Sequence, residues 1–341
     1  MAKTMKAAVV HEFGKPLRIE EVPIPEPGPG EVLIKVMANG VCHTDLHSAH
    51  GDFGPTKLPF IPGHEGAGVI AAVGSGVTHL KEGDPAGVAW LHDACGWCEY
   101  CRTGWDALCA QQHNSGFTFN GSFAEYVIGS AAYVGVLPKG VDFAAVAPML
   151  CAGVTTYKAI KETEAKPGEW LLMSGVGGLG QLGIEYAKAM GLHVAAVDVT
   201  EEKLALARAS GAEVTVNALS PDAAEQIREQ TGGGAHGVVV TAVAPPAFTQ
   251  AIHMVRRKGT IALVGLPPGD FATPIAPVVL GRITIRGSIV GGRQDLAEAI
   301  EFFAEGKVHS HYHEMNIEDI NQVFADMKAG KIDGRMVMTS F

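Results

Sequence analysis

The chain is poor in cysteine, in charge and in aromatic side chains, and each shortage narrows what it can be. Six cysteines in 341 residues are too few for a disulfide-stapled scaffold, and a chain this long buries enough core not to need one. Aromatic residues at 7% and charged residues at 18%, with 43 glycines, fit a compact α/β protein rather than a disordered or fibrous one. Basic residues are in deficit: 26 Lys and Arg against 36 Asp and Glu give a formal charge of -10. Such a field repels phosphate backbones and anionic lipid, so neither nucleic acid nor a membrane is an expected partner. No apolar run is long enough to span a bilayer. The opening Met-Ala-Lys-Thr-Met-Lys-Ala-Ala-Val-Val carries charge without an apolar stretch or cleavage site, so the expected location is cytoplasmic, where thiols stay reduced.

The length predicts two domains, and the residue pattern changes where the second would begin. Short β-branched or alternating runs (Lys6 to Val10, Leu17 to Val22, Glu31 to Ala38, Gly68 to Val73) are separated by Pro/Gly clusters such as Pro23 to Gly30, the pattern of a strand-rich domain. Beyond Cys151, strands at Glu169 to Ser174, His193 to Asp198, Val214 to Val216, Gly237 to Thr241 and Thr260 to Gly265 alternate with helices. The helices fall at Leu179 to Met190, Glu201 to Ser210, Pro221 to Gln230 and Pro246 to Arg257, the first two stopped by Gly191 and Gly211. That alternation predicts a parallel, doubly wound sheet. Helices at Gln294 to Ala304 and Ile317 to Lys328 and a strand near Arg335 to Thr339 are expected to return to the first domain.

Four of the six cysteines fall within fifteen residues, as Cys95, Cys98, Cys101 and Cys109. In a reducing compartment this cluster reads as a metal site rather than as disulfides. A ferredoxin-type iron-sulfur run would need its fourth cysteine three residues after the third, where Trp105 stands, and Ala110 follows Cys109 in place of proline. A closed tetrahedral zinc site is the expectation, and four thiolates leave no position open for chemistry. Cys42 lies in Cys-His-Thr-Asp-Leu-His, His64 in Gly-His-Glu, and Cys151 stands just before the second domain. Singly, each would be a buried thiol or a satisfied histidine; together, two thiolates and an imidazole make a three-ligand zinc site with a fourth position open.

Gly175-Val-Gly177-Gly178-Leu179-Gly180 follows a strand and opens a helix, the setting in which glycines let a pyrophosphate approach backbone N–H groups at a helix N-terminus. Asp198 ends the next strand at the spacing for an adenosine ribose. Its carboxylate would repel a 2′-phosphate, so NAD is preferred over NADP. Val-His309-Ser-His311-Tyr-His313 alternates as on one face of a strand, and reads as a solvated or interface strand because no acid or thiol completes a ligand set. Thr231 to Gly237 is glycine-rich but precedes a strand and lacks a Walker lysine, so it reads as a loop.

With these motifs the sequence resembles the zinc-dependent medium-chain alcohol dehydrogenases, especially the bacterial and yeast-like tetrameric members. The likeness covers nearly the whole chain and is most specific at Cys42 to Asp52, at Gly63-His64-Glu65-Gly66-Ala67-Gly68 with Gly74 and Val77, and at the Cys95 to Cys109 lobe. Cys151-Ala-Gly-Val-Thr-Thr-Tyr157 and Gly287 to Arg293 carry it further. The resemblance implies a GroES-like β-rich catalytic domain (residues 1–152 and 288–341) holding both zinc sites, and a Rossmann NAD-binding domain (residues 153–287). It implies two Zn²⁺ per chain, NAD as cofactor and a homotetramer.

By the same resemblance Cys42, His64 and Cys151 bind the catalytic zinc, with water or transiently Glu65 in the fourth place, while Asp45 orients the ligands. His43 and Arg293 would contact the pyrophosphate and Lys203 would join Asp198 at the ribose. Thr155, Leu179, Val264 and Leu266 would pack around the cofactor. The implied reaction is reversible hydride transfer between a primary alcohol and NAD. Zinc acidifies the alcohol, and Thr44 and His47 relay the released proton to solvent. Phe53 stands where many relatives carry tryptophan, Ala89 where they carry proline before Trp90, and Pro85 where they carry a basic residue. The pocket expected from Thr44, Phe53, Trp90 and Leu266 admits primary alcohols bulkier than ethanol. A zinc-dependent polyol or formaldehyde dehydrogenase on the same scaffold is the alternative among enzymes. A non-catalytic zinc- and nucleotide-binding protein is the alternative of another class.

Overall fold

The computed structural model describes residues 3–341, which divide into two compact units. One holds the chain up to Cys151 together with Gly292–Ala304 and Ser310–Phe341; the other holds Ala152–Gly291 and Glu305–His309. The first unit is built around the strand Glu31–Val41, whose alternation of buried and exposed residues gives it one face against a core. It pairs antiparallel with Gly66–Val73, Tyr126–Ser130 and the final strand Arg335–Ser340. Against this lies a core in which Ala7, Ala8, Val10, Ile61 and Phe123 meet Ile320, Val323 and Phe324 of the helix Ile320–Lys328. The C-terminal residues therefore belong to the same core as the N-terminal ones.

The second unit is a six-stranded parallel sheet in the order Val214–Asn217, His193–Asp198, Trp170–Ser174, Ala235–Val240, Val255–Leu263, Thr284–Gly287. Its central strands carry continuous apolar runs, with Leu171, Leu172, Met173 and Val238 to Val240 fully buried, as strands covered on both faces require. The order reverses between the strands at Trp170 and Ala235, the point at which doubly wound sheets bind ligands. The α/β class and the parallel sheet expected from the sequence are both present.

Several elements differ from the expectation. The helix beginning at Pro245 ends at Met254, and Val255 already starts the next strand, so Val255, Arg256 and Arg257 are extended rather than helical. A 3-10 turn, Ile317–Asp319, precedes the last helix. Of the alternating histidines only His313 lies in a strand, Tyr312–Asn316. His309 belongs to the second unit, where its backbone N–H donates to Glu185 Oε2 at 2.6 Å. Among the described residues no single helix is long and apolar enough to cross a membrane.

Candidate active site and metal centres

Cys42 sits at the start of the helix His43–His50, in extended backbone that turns its thiol inward. Asp45, one turn along and fully buried, gathers the surrounding groups. One carboxylate oxygen accepts the Cys42 backbone N–H (2.9 Å); the other accepts the Gly63 N–H (3.1 Å) and the Nδ1–H of His64 (2.7 Å). Holding Nδ1 this way fixes the tautomer and aims Nε2 at the Cys151 sulfur, 3.2 Å away. Cys151 arrives from the 3-10 turn Ala147–Leu150. One ligand atom from each of Cys42, His64, Glu65 and Cys151 lies within 4.8 Å of the others, and all four residues are buried.

The electrostatics of this cluster suit a dication. The neighbouring Cys151 thiol, then His64, hold Cys42 well below its ordinary value against the effect of burial, while Cys151 is pushed well above its own. Two adjacent buried thiolates repel, so one ionises at the other's expense, and a divalent cation relieves that conflict. Burial opposes charge on His64, yet Asp45 and Cys42 raise it well above the usual range. Burial pushes the Glu65 carboxyl up to about 7, against the pull of the Arg335 guanidinium that bonds its Oε1. Its Oε2 has no partner among the described residues, a buried polar atom free to turn toward an ion. Two cysteines and a histidine make a three-ligand set for zinc, with the fourth position left to water, substrate or Glu65 Oε2.

In the other cluster Cys98 and Cys101 sulfurs are 3.5 Å apart and Cys95 and Cys101 sulfurs 3.9 Å apart, all four lying within 4.8 Å of one another. None is disulfide-bonded. Zinc–sulfur bonds of about 2.3 Å at tetrahedral angles place sulfurs about 3.8 Å apart, so the spacing fits one zinc ion. The Cys98 backbone N–H donates to Cys95 Sγ (3.4 Å) and the Gln111 N–H to Cys109 Sγ (3.3 Å), as thiolate ligands require.

The glycine turn opens the helix Gly178–Ala189. Gly175 has a φ of 97° and Gly180 lies so close to the Gly175 carbonyl that a Cβ would stand 1.9 Å from it. A Cβ on Gly177, by contrast, would meet nothing within 4 Å, leaving a space beside the helix N-terminus that suits a phosphate. Asp198 is buried; its two oxygens accept the N–H groups of Val176 (2.6 Å) and Val199 (2.7 Å), and Lys203 Nζ is 3.9 Å away. The acid is thus bound to the turn itself.

Residues 28–139 match the alcohol dehydrogenase GroES-like domain, and residues 178–305 the zinc-binding dehydrogenase domain. An alcohol dehydrogenase of Rhizobium meliloti (strain 1021) is 59% identical over 337 residues, 98% of each chain. The chain belongs to the zinc-binding alcohol dehydrogenase family. Among solved structures, the alcohol dehydrogenase of the hyperthermophilic archaeon Aeropyrum pernix superposes with a TM-score of 0.88 at 34% identity, covering 98% of this chain and 99% of that one. The acetophenone reductase of Geotrichum candidum in complex with NAD gives 0.87 at 31%, covering 100% and 98%.

Within this alcohol dehydrogenase scaffold, Thr44 and His47 share the helix that starts after Cys42, and Phe53 follows its end. Phe53 and Trp90 meet edge to face at 6.0 Å, and Trp90 in turn meets the ring of His64 at 5.4 Å. Phe117, not anticipated from sequence, completes this aromatic wall at 5.8 Å from Phe53 and 6.3 Å from Trp90. His43 is exposed on the same helix as Thr44. Thr155 is buried in the helix Ala152–Thr163, Val264 follows the fifth strand with its N–H on the Val240 carbonyl, and Leu266 is exposed just beyond, all in the second unit. Arg293 stacks over Tyr133 (4.8 Å) and reaches Asp106 (3.4 Å) between the third and fourth quartet cysteines. The sequence reading missed Arg335, buried against Glu65 in the last strand. Gly40 leaves room for the Glu65 carboxyl, since a Cβ there would stand 1.8 Å from Glu65 Oε2.

Proposed function

We propose that this chain is an NAD-dependent zinc alcohol dehydrogenase that interconverts primary alcohols and aldehydes. The observation that carries the reading is the open three-ligand set Cys42, His64 and Cys151 held by Asp45, separate from a closed four-cysteine set. When bound, zinc at the open set supplies Lewis acidity toward the substrate oxygen, and the dinucleotide supplies the hydride acceptor. The protein's own part is to place the substrate and to move a proton. Thr44 and His47 lie three residues apart on one helix and therefore share a face, running from buried Cys42 outward to a half-exposed imidazole. Thr44 Oγ1 would accept the proton of the alcohol hydroxyl while passing its own hydroxyl proton on toward His47, which would take it up and release it to solvent. Asp198 and Lys203 select the ribose hydroxyls of NAD, because a 2′-phosphate would face a buried carboxylate.

The aromatic wall of Phe53, Trp90 and Phe117 supports substrates larger than ethanol, since it offers ring faces and edges to an extended or aromatic chain. Residues 1–152 with 288–341 are assigned as the catalytic domain and 153–287 as the NAD domain. His43 and Arg293 remain the proposed pyrophosphate contacts, and Arg293 also braces the quartet lobe through Asp106. A homotetramer is supported by the helix Ile275–Gly281, which buries no residue and exposes Ile275 and Leu280 by about four-fifths, close in sequence to Thr284–Gly287, the edge strand of the sheet. Action in the cytoplasm is supported by six free thiols. The test is Cys42→Ser: alcohol oxidation is lost while the quartet zinc is retained, and unchanged turnover would remove the site assignment.

A further inference from the structure

The helix His43–His50 ends in Gly51, whose left-handed backbone (φ 80°, ψ 19°) lets its N–H and that of Asp52 fold back onto the last turn. Gly51 N–H donates to the carbonyls of His47 and Ser48, and Asp52 N–H donates to the His47 carbonyl at 3.0 Å. This geometry fixes Asp52 directly over His47, and its Oδ2 lies 2.7 Å from His47 Nδ1. A carboxylate only accepts hydrogen bonds, so Nδ1 must carry the proton and Nε2 the lone pair. The helix end does not need this carboxylate, because backbone groups already complete the cap. A negative charge at a helix C-terminus is also opposed by the helix dipole.

We propose that Asp52 is a positioning residue for proton transfer, holding His47 in the tautomer and orientation in which Nε2 receives the proton leaving the site. The inference rests on the Thr44 and His47 relay put forward above. Without Asp52 the ring, half-exposed and touched otherwise by the Phe53 ring at 5.8 Å, is free to rotate and to exchange tautomers. The other charged or titratable groups on or acting on this helix are His43, which also feels Cys42 and Arg335, the buried Asp45, and His50, which faces Lys328 as well as Asp52. The Asp45 oxygens are taken up by the Cys42 and Gly63 N–H groups and by His64, so Asp52 is the carboxylate that bonds His47.

The experiment compares kcat/KM for a primary alcohol as a function of pH in the wild-type holoenzyme, Asp52→Asn, Asp52→Glu, His47→Gln and the double variant Asp52→Asn/His47→Gln. Thermal unfolding monitors each fold. Asp52→Asn is expected to lower the plateau by about threefold to tenfold, less than the roughly hundredfold or more that a positioned acid–base group itself contributes, because Asp52 acts only through His47. Asp52→Glu should recover part of the loss, and the double variant should be no slower than His47→Gln alone. A wild-type profile in Asp52→Asn, with His47→Gln impaired, overturns the role of Asp52 and leaves the relay standing. An equal loss from Asp52→Asn in both backgrounds overturns it as well, as a structural effect. A wild-type profile in His47→Gln overturns the relay and the inference together.

Discussion

Replacing Gly177 and Gly180 by alanine should separate the cradle that binds a phosphate from the packing that builds it. At Gly180 the added Cβ would stand 1.9 Å from the Gly175 carbonyl oxygen, and real Cβ contacts do not fall below 3.0 Å, so helix and turn must part by more than about 1 Å. That carbonyl cannot yield freely, because it accepts the Thr241 hydroxyl at 2.9 Å. Forced overpacking of this kind costs about 1–3 kcal/mol, and a clash against fixed backbone lies at the upper end. At Gly177 the backbone has φ −89° and the Cβ meets nothing, so alanine is tolerated without strain. The small gain from a stiffer unfolded chain and the small loss at a helix N-cap offset each other to within about 0.5 kcal/mol. The new methyl nevertheless occupies the space reserved for the pyrophosphate, so NAD affinity should fall tenfold or more, about 1.4 kcal/mol. Denaturant unfolding and NAD titration of the two variants give the answer. Wild-type NAD affinity in Gly177→Ala would refute the cradle, and equal destabilisation of both variants would refute the packing argument.

Arg335→Met leaves the Glu65 carboxyl buried without its partner and should destabilise the fold by about 3–5 kcal/mol, most of which the double variant Glu65→Gln/Arg335→Met should restore in denaturant titrations. Phe53→Trp enlarges the aromatic wall and should reduce kcat/KM for long or aromatic alcohols more than for ethanol; equal ratios in wild type and variant would end the size argument. Burial holds His92 below its ordinary 6.5, and its Nδ1 has no partner among the described residues. The unfolded chain takes up that proton first as pH falls below 6.5, so stability drops there. His92→Phe, stacked on Phe119, should flatten the decline between about pH 6.5 and 5 in thermal unfolding scans.

What could be read from the sequence was what is local in the chain. The quartet spans fifteen residues, and the glycine turn with Asp198 spans one strand-turn-helix-strand unit, so spacing alone placed them. Arg335 lies 270 residues from Glu65, and nothing in Gly-Arg-Met-Val marks it as a partner of the open site. Phe117 was hidden for a similar reason: it reaches Phe53 and Trp90 through a loop whose carbonyl is held by the Thr56 hydroxyl. Val255 to Arg257 looked like the end of a helix because three residues with two arginines carry no period, whereas the sheet pairs Val255 with Ala235. The three spaced histidines suggested one strand, yet only His313 lies in one: the His311 and His313 rings meet at 5.4 Å, while the His309 backbone N–H is held by Glu185 before the strand begins.

The most direct measurement of the central claim is zinc content per chain combined with NAD-linked turnover across a panel of alcohols and aldehydes, for the wild type and Cys42→Ser. Two zinc ions per chain and oxidation of primary alcohols in the wild type, with one zinc ion and no oxidation in Cys42→Ser, are the predicted results. A single zinc ion in the wild type, or undiminished turnover in the variant, would contradict the division between an open catalytic metal and a closed structural one.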